Sequence, residues 1–313
     1  MKKLKMKASK SITFEEGCNK YLEYCRQRNL RQGTINHYRQ SYVQFFKFFE
    51  PDTPIEEIDE DAYKRYVLHL RSTLDNDVSI NSYLRDFITT LHYLMNEGFI
   101  PRFKMTAIKV DKSPIETYSD EELKLLLKKP DLKKCSFTEY QCWVMTNFLF
   151  STAVRQRSLM NIKVKDIDFD NSVVYVNVTK NRKPLIVPLN HTMVNILKEY
   201  LKYRQHKSNE DYLFCNVFGQ QLLKSTCYHK LYEYNKKRDV ETTGIHRYRH
   251  TFAKQWILSG GNVVSLSKLL GHSSLDITQN YINLLVSDVA KQVDEINVLD
   301  KFSDRKRISL KSK

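Results

Sequence analysis

The sequence predicts a mainly α protein with a small β-sheet, built as two domains. Three observations carry this expectation. Apolar residues recur at helical spacing through most of the 313 residues. Only Ser172 to Thr179 and Leu185 to Pro188 read as strands. Residues 101 to 114, with Lys, Arg and Pro and little periodicity, interrupt the pattern as a basic linker would.

Each element has a local justification. Thr13-Phe14-Glu15-Glu16 reads as a capping box, in which hydroxyl and carboxylate satisfy each other's backbone donors, and it opens a helix reaching about Arg28. Gly33-Thr34 begins a second, whose apolar stripe is Tyr38, Tyr42, Phe45, Phe46 and Phe49. Thr53-Pro54-Ile55-Glu56 is another start signal, followed by helices from about Asp59 to Arg71 and from about Ser79 to Asn96, the last ending before Gly98 and Pro101. These four helices form one bundle, residues 1–108, with a linker at 109–116. Ser119-Asp120-Glu121-Glu122 then caps the first helix of the second domain, 117–300. Within it 120–129, 138–151, 191–205, 225–238, 247–258 and 262–270 read as helices around the two strands. Val286 to Leu299 carries a stripe at 286, 289, 293, 296 and 299 with no obvious place in its own core, so it is expected to dock on a neighbour, the alternative being that it folds back on its own domain. Residues 301–313, with Arg305-Lys306-Arg307, form a basic tail that adds salt-sensitive affinity for a polyanion.

Composition narrows the partner. Lys plus Arg total 51 against 36 acidic residues, a net charge of +15 that favours a phosphate polymer over an acidic small molecule. Nucleic acid leads and an anionic membrane surface comes second. No apolar run reaches the roughly 18 residues that span a bilayer, and the lysines of residues 1–10 are not followed by the core of a signal peptide, so a cytoplasmic protein is expected. The six cysteines, at 18, 25, 135, 142, 215 and 227, contain no Cys-x-x-Cys and suit neither a disulfide framework nor a zinc knuckle.

The chemistry is concentrated between His246 and Tyr281. On a helix, His246 and Arg249 lie three apart and so on one face. A guanidinium grips phosphate in a fork and an imidazole adds a further hydrogen bond, an arrangement suited to charge building up on phosphorus. Leu270-Gly271-His272 follows, and nine residues later comes Tyr281, a candidate attacking oxygen. Upstream, Arg155 follows Thr152-Ala153-Val154 at a helix-to-helix turn, and Lys180 lies between the two strands. Taken singly, each has an ordinary role. One tyrosine among 19 is usually a core or surface ring, Lys180 beside Arg182 and Lys183 suits a solvated turn, Arg155 a helix end and His272 a cap. From the residues alone the chain reads as a DNA or RNA binder with its reaction open.

Together these motifs resemble the tyrosine recombinases, the phage-integrase family. Arg155 matches the family's first catalytic arginine, Lys180 the hairpin lysine, His246 and Arg249 the His-x-x-Arg pair, His272 the histidine or tryptophan after Leu-Gly, and Tyr281 the nucleophile. The motifs cover roughly residues 115 to 290, and residues 12 to 100 resemble the family only in helical layout. Two positions depart: Ala153 stands where the family usually has Gly, and Ser158 where it usually has an acidic residue. A hydroxyl braces a cation less strongly than a carboxylate does. Asp166 and Asp168 lie near in sequence, and nothing in the sequence assigns either as a substitute.

The resemblance implies a simple Xer-like, two-domain recombinase. Its helical core-binding, SAM-like bundle and tyrosine-recombinase catalytic domain would close on double-stranded DNA as a clamp, with a dimer on each site and a homotetramer on paired sites. The C-terminal helix would pass between protomers, and helper proteins are compatible with this plan. Tyr281 would form a 3′-phosphotyrosyl link, with Arg155, Arg249 and His272 stabilising the transition state, Lys180 protonating the leaving 5′ oxygen and His246 assisting proton transfer. Because the phosphotyrosine holds the bond energy, neither ATP nor metal is needed. The absence of an arm-binding segment before residue 10 leans toward a simple recombinase on short inverted repeats. Alternatives are a catalytically weak relative, given Ser158, acting as an architectural or regulatory DNA binder, and a relaxing topoisomerase of the same chemistry.

Other chemistries fail on specific residues. Gly219 to Ser225 lacks the second glycine of a phosphate loop, so no nucleotide cofactor is expected. Asp166 to Asn171 begins like a calcium loop, but Asn171 replaces the needed glycine and Asn177 the bidentate glutamate. His246 and His250 lie four apart, yet no glutamate follows His246, so no metal is expected there.

Overall fold

A computed structural model describes residues 12–111, 115–241, 243–272, 274–275, 278–279 and 281. The chain separates into two compact units, 1–113 and 114–313. The stripe from Val286 to Leu299 and the basic tail lie outside the described residues.

The first unit holds α1 (Phe14–Gln27), α2 (Gln32–Phe45), α3 (Glu60–Thr73) and α4 (Asp77–Asn96), with a short 3-10 turn at Ile55–Glu57. The capping box forms as its residues dictate: the Thr13 hydroxyl accepts from the Glu16 amide, and the Glu16 carboxylate accepts from the Thr13 amide. Asp59 and Asn76 cap α3 and α4 by side-chain oxygens alone, accepting from the amides of Ala62 and of Val78 and Ser79. Aromatic rings make the core, with Phe14 edge-on to Phe49 at 5.4 Å and Phe49 stacked on Phe87 at 5.5 Å. Helices α1 and α4 approach closely because Gly17 has no side chain: a Cβ there would stand 3.1 Å from a Leu94 methyl.

The second unit contains α5 (Asp120–Leu127), α6 (Phe137–Thr152), α7 (Gln156–Leu159), β1 (Ile167–Asp168), β2 (Val173–Val176), β3 (Leu185–Pro188), α8 (His191–Tyr203), α9 (Lys224–Lys236), α10 (Ile245–Leu258) and α11 (Val263–Leu270). Helix α6 is central, buried around most of its circumference and packed against α8, α9 and α10. The sheet runs β1-β2-β3, antiparallel, with Ile167 opposite Val174 and Val176 opposite Leu185. Strand β1 and helix α7 escaped the sequence reading because two and four residues are too few to establish a period. No helix among the described residues is long and apolar enough to cross a membrane.

All six cysteines are free thiols. Five are buried, and Cys135 is half-buried just ahead of α6.

Candidate active site

The site begins where α6 stops. Ala153 caps that helix in the left-handed region, φ 50°, and turns the chain so that Arg155 heads α7. The Ala153 carbonyl, freed from helix pairing by this turn, accepts from the Arg249 guanidinium at 2.9 Å. Arg249 reaches across from α10 and is 5% exposed. The C-terminus of α11 supplies the second anchor. Gly271 closes that helix at φ 58°, with the amides of Gly271 and His272 returning to Lys268 and Ser267. The last carbonyl of the helix, Leu270, accepts from Arg249 at 2.6 Å and from Arg155 at 3.5 Å. That end of a helix carries partial negative charge, so it draws the two cations together.

The cavity so formed has a volume of about 350 Å³, and Arg155, Arg249, His272, Ser158, Asn181 and Lys183 are among its lining residues. Burial in this cationic surrounding lowers the arginines and histidines of the site. Arg249 is pulled down to about 10, by burial first and then by the charge of Arg155. His272 is pulled down to about 4 by burial, then by Arg249 and Arg155. Both histidines of α10 are lowered too: His250 to about 4 by burial, then His246 and Arg249; His246 by loss of hydration at its ring, then by Arg249, Arg155, Lys180 and Lys224.

Tyr281 is buried, 4% exposed, against Ala153, Ala253, Leu266 and Leu270. Its phenol oxygen is 2.9 Å from Nδ1 of His250 and lies under the charge of Arg249 and Arg155. Burial raises its pKa although Arg249 and Arg155 oppose the rise, so the phenol is neutral at neutral pH. Its ring lies parallel to that of His272, with centroids 6.4 Å apart.

Of the residues singled out in the sequence, Arg155, Arg249, His272 and Tyr281 therefore converge within one protomer. His246 is exposed in the first turn of α10, its ring 6.3 Å from that of His250. Lys180 is exposed at the β2–β3 turn; Lys183 rather than Lys180 lines the cavity, although the charge of Lys180 reaches His246. The turn is tied to the site by Asn181, which donates to the Gly271 carbonyl at 3.3 Å. Ser158 is buried on α7 and donates to the Val178 carbonyl at 2.8 Å, bracing the backbone two residues before Lys180. Asp166 accepts from the Lys163 amide and the Asn177 side chain, and Asp168 from Asn171, so both carboxylates serve local turns. The sequence reading missed the contact of His250 with the phenol. The signal was present in the four-residue spacing of His246 and His250, which puts both imidazoles on one helix face, but it was weighed only as a metal pair.

Comparison with known proteins gives the family of the chain. Residues 117–287 match the Phage integrase family, and residues 13–110 match the Phage integrase SAM-like domain. The chain is 28% identical to the tyrosine recombinase XerC of Leptospira interrogans, over 88% of this chain and 90% of that protein. It is 25% identical to the tyrosine recombinase XerD of Staphylococcus saprophyticus, over 88% and 97%. Its fold matches the XerH site-specific recombinase bound to a palindromic difH substrate, with TM-score 0.67, 18% identity and coverage of 91% and 85%. It also matches a lambda integrase dimer bound to a COC′ core site, with TM-score 0.70, 16% identity and coverage of 97% and 82%. Helical bundle, small sheet and clustered cations with a tyrosine define a tyrosine recombinase, an enzyme of site-specific recombination that cuts and rejoins DNA strands. The chain belongs to the phage integrase family.

Proposed function

We propose that Tyr281 is the nucleophile of this recombinase and that Arg155, Lys180, His246, Arg249 and His272 assist it. A phenol with an ordinary pKa of about 10 attacks poorly at neutral pH unless its proton is removed while charge on the phosphate is offset. In this reading the oxygen of Tyr281 attacks a DNA phosphodiester, forms a 3′-phosphotyrosyl bond and releases a 5′-hydroxyl. Arg155 and Arg249 offset the charge on the pentavalent phosphorus, and His272 hydrogen-bonds a non-bridging oxygen. Lys180, carried on the hairpin, protonates the leaving oxygen once the turn lies against DNA, and His246 assists proton transfer. Attack by a 5′-hydroxyl of another strand reverses the step, so the chain's own residues complete the exchange without ATP or metal.

The observation that carries this reading is that two guanidiniums line one cavity while a buried phenol of the same protomer lies under their charge, its ring parallel to that of His272. The same reading makes double-stranded DNA the partner, gripped by both domains, with a dimer on each site, a tetramer on paired sites and action in the cytoplasm. The excess of basic residues supports a phosphate polymer as ligand. The domains are taken as 1–108 and 117–300, joined by the linker 109–116.

The test is incubation with a pool of nicked duplexes carrying randomised half-sites, where loss of a short strand traps any covalent product. The wild-type chain should yield a detergent-stable adduct on the 3′ phosphate at the cut, insensitive to EDTA, and Tyr281→Phe should yield none. Duplex retention without any adduct would instead favour the catalytically weak relative.

A further inference from the structure

We propose that His250 is the group that takes the phenolic proton of Tyr281 when the strand is cut. The inference rests on the reading of Tyr281 as nucleophile and adds a residue to it.

The argument is one of donors and acceptors around a single oxygen. The Tyr281 oxygen is buried, lies 2.9 Å from Nδ1 of His250, and is under the charge of the Arg249 guanidinium. A guanidinium has no acceptor, so Arg249 offers the phenol's hydrogen nothing. The phenol's own hydrogen needs an acceptor in this enclosed place, and among the described contacts only His250 Nδ1 offers a lone pair. His272 does not compete. Its ring is parallel to the phenol, with Nε2 on Arg249 and Nδ1 on Thr278. His250 therefore faces the reacting oxygen with a neutral imidazole whose hydrogen sits on Nε2. Its low affinity for a proton, about 4, keeps it in that state at neutral pH.

The surroundings make the transfer conditional. His250 is faced by His246 and Arg249 on its own helix and by Tyr281, which Arg155 and His272 approach in turn, so an imidazolium there is disfavoured. A phosphodiester brings one negative charge and gains more as the pentavalent state forms. That charge offsets the cations and makes His250 a competent base at the moment of attack. The step balances. The Tyr281 O–P bond forms as P–O5′ breaks, the phenol proton passes to His250 Nδ1, and the leaving oxygen takes a proton from Lys180. On rejoining, the 5′-hydroxyl returns a proton to Lys180, and His250 returns its own to the tyrosine oxygen.

The test compares wild type, Tyr281→Phe, His250→Gln and Lys180→Ala on a duplex recovered from the wild-type adduct pool, in normal form and with sulfur replacing the bridging 5′ oxygen at the cut. A thiolate leaves without a proton, so the sulfur duplex bypasses the acid but not the base. H250Q should bind the duplex as wild type does and cut both forms about 100-fold more slowly, with added imidazole restoring part of the rate in His250→Gly. K180A should recover on sulfur. Wild-type cutting by H250Q, or its full recovery on sulfur, would overturn the proposal. If H250Q does not fold, 15N-histidine spectra of the full chain decide: one Nδ1 resonance should move in Y281F, and an unchanged spectrum contradicts the pairing. A wild-type chain that forms no adduct with any duplex refutes the nucleophile itself, a different failure.

Discussion

Nε2 of His272 lies 2.8 Å from a guanidinium nitrogen of Arg249, and this contact fixes the protonation of the histidine. Because a guanidinium only donates, Nε2 accepts, and the hydrogen sits on Nδ1, where it is given to the Thr278 hydroxyl at 2.8 Å. The ring thus waits as a neutral acceptor.

This neutrality has a stability consequence. His272 and His250 both titrate near 4 in the folded chain, against 6.5 for an ordinary histidine. The unfolded chain takes up these protons first. Their contribution to stability is therefore full above pH 6.5, is lost progressively as pH falls toward 4, and is gone below that. Melting temperature should drop across this window in the wild type and drop less steeply in His272→Asn; identical slopes would contradict the assignment.

Arg249 is a structural cation and, in the proposed reaction, a chemical one as well. Arg249→Ala leaves the carbonyls of Ala153 and Leu270 without this donor. The expected cost is about 2–4 kcal/mol of folding free energy in denaturant titration. Arg249→Lys keeps the charge but cannot reproduce the fork, so the fold should survive while strand cutting falls about 10²–10³-fold.

Ser158 braces the hairpin through the Val178 carbonyl rather than bracing a cation. Ser158→Ala should cost about 1 kcal/mol. It should also slow cutting while duplex affinity, measured by gel retention, stays unchanged, because the hairpin that carries Lys180 is loosened and the phosphate grip is not.

Ala153 is fully buried with a positive φ. A branched side chain fits neither the backbone nor the space, so Ala153→Val should cost about 2–4 kcal/mol by thermal melting. Ala153→Gly should stay within about 1 kcal/mol of neutral, since relief of strain is offset by the freer unfolded chain.

How much of this was readable in the sequence depends on the range of the interactions involved. Capping boxes at Thr13 and Ser119 act over three residues and could be read directly. Tetrapeptide α7 and dipeptide β1 could not, because they are held by their neighbours and not by any period. At the site, motif order singled out Arg155, Arg249, His272 and Tyr281, but not the carbonyls of Ala153 and Leu270 that hold the arginines. Backbone acceptors leave no mark on residue type. The role of His250 was hidden for another reason: its partner lies 31 positions away, and no local spacing rule links them.

The most direct test of the account is to digest the trapped adduct with protease and nuclease and to sequence the modified peptide by mass spectrometry. The account requires the residual nucleotide on the oxygen of Tyr281. A nucleotide on any other side chain, or an adduct of equal yield from Tyr281→Phe, contradicts it.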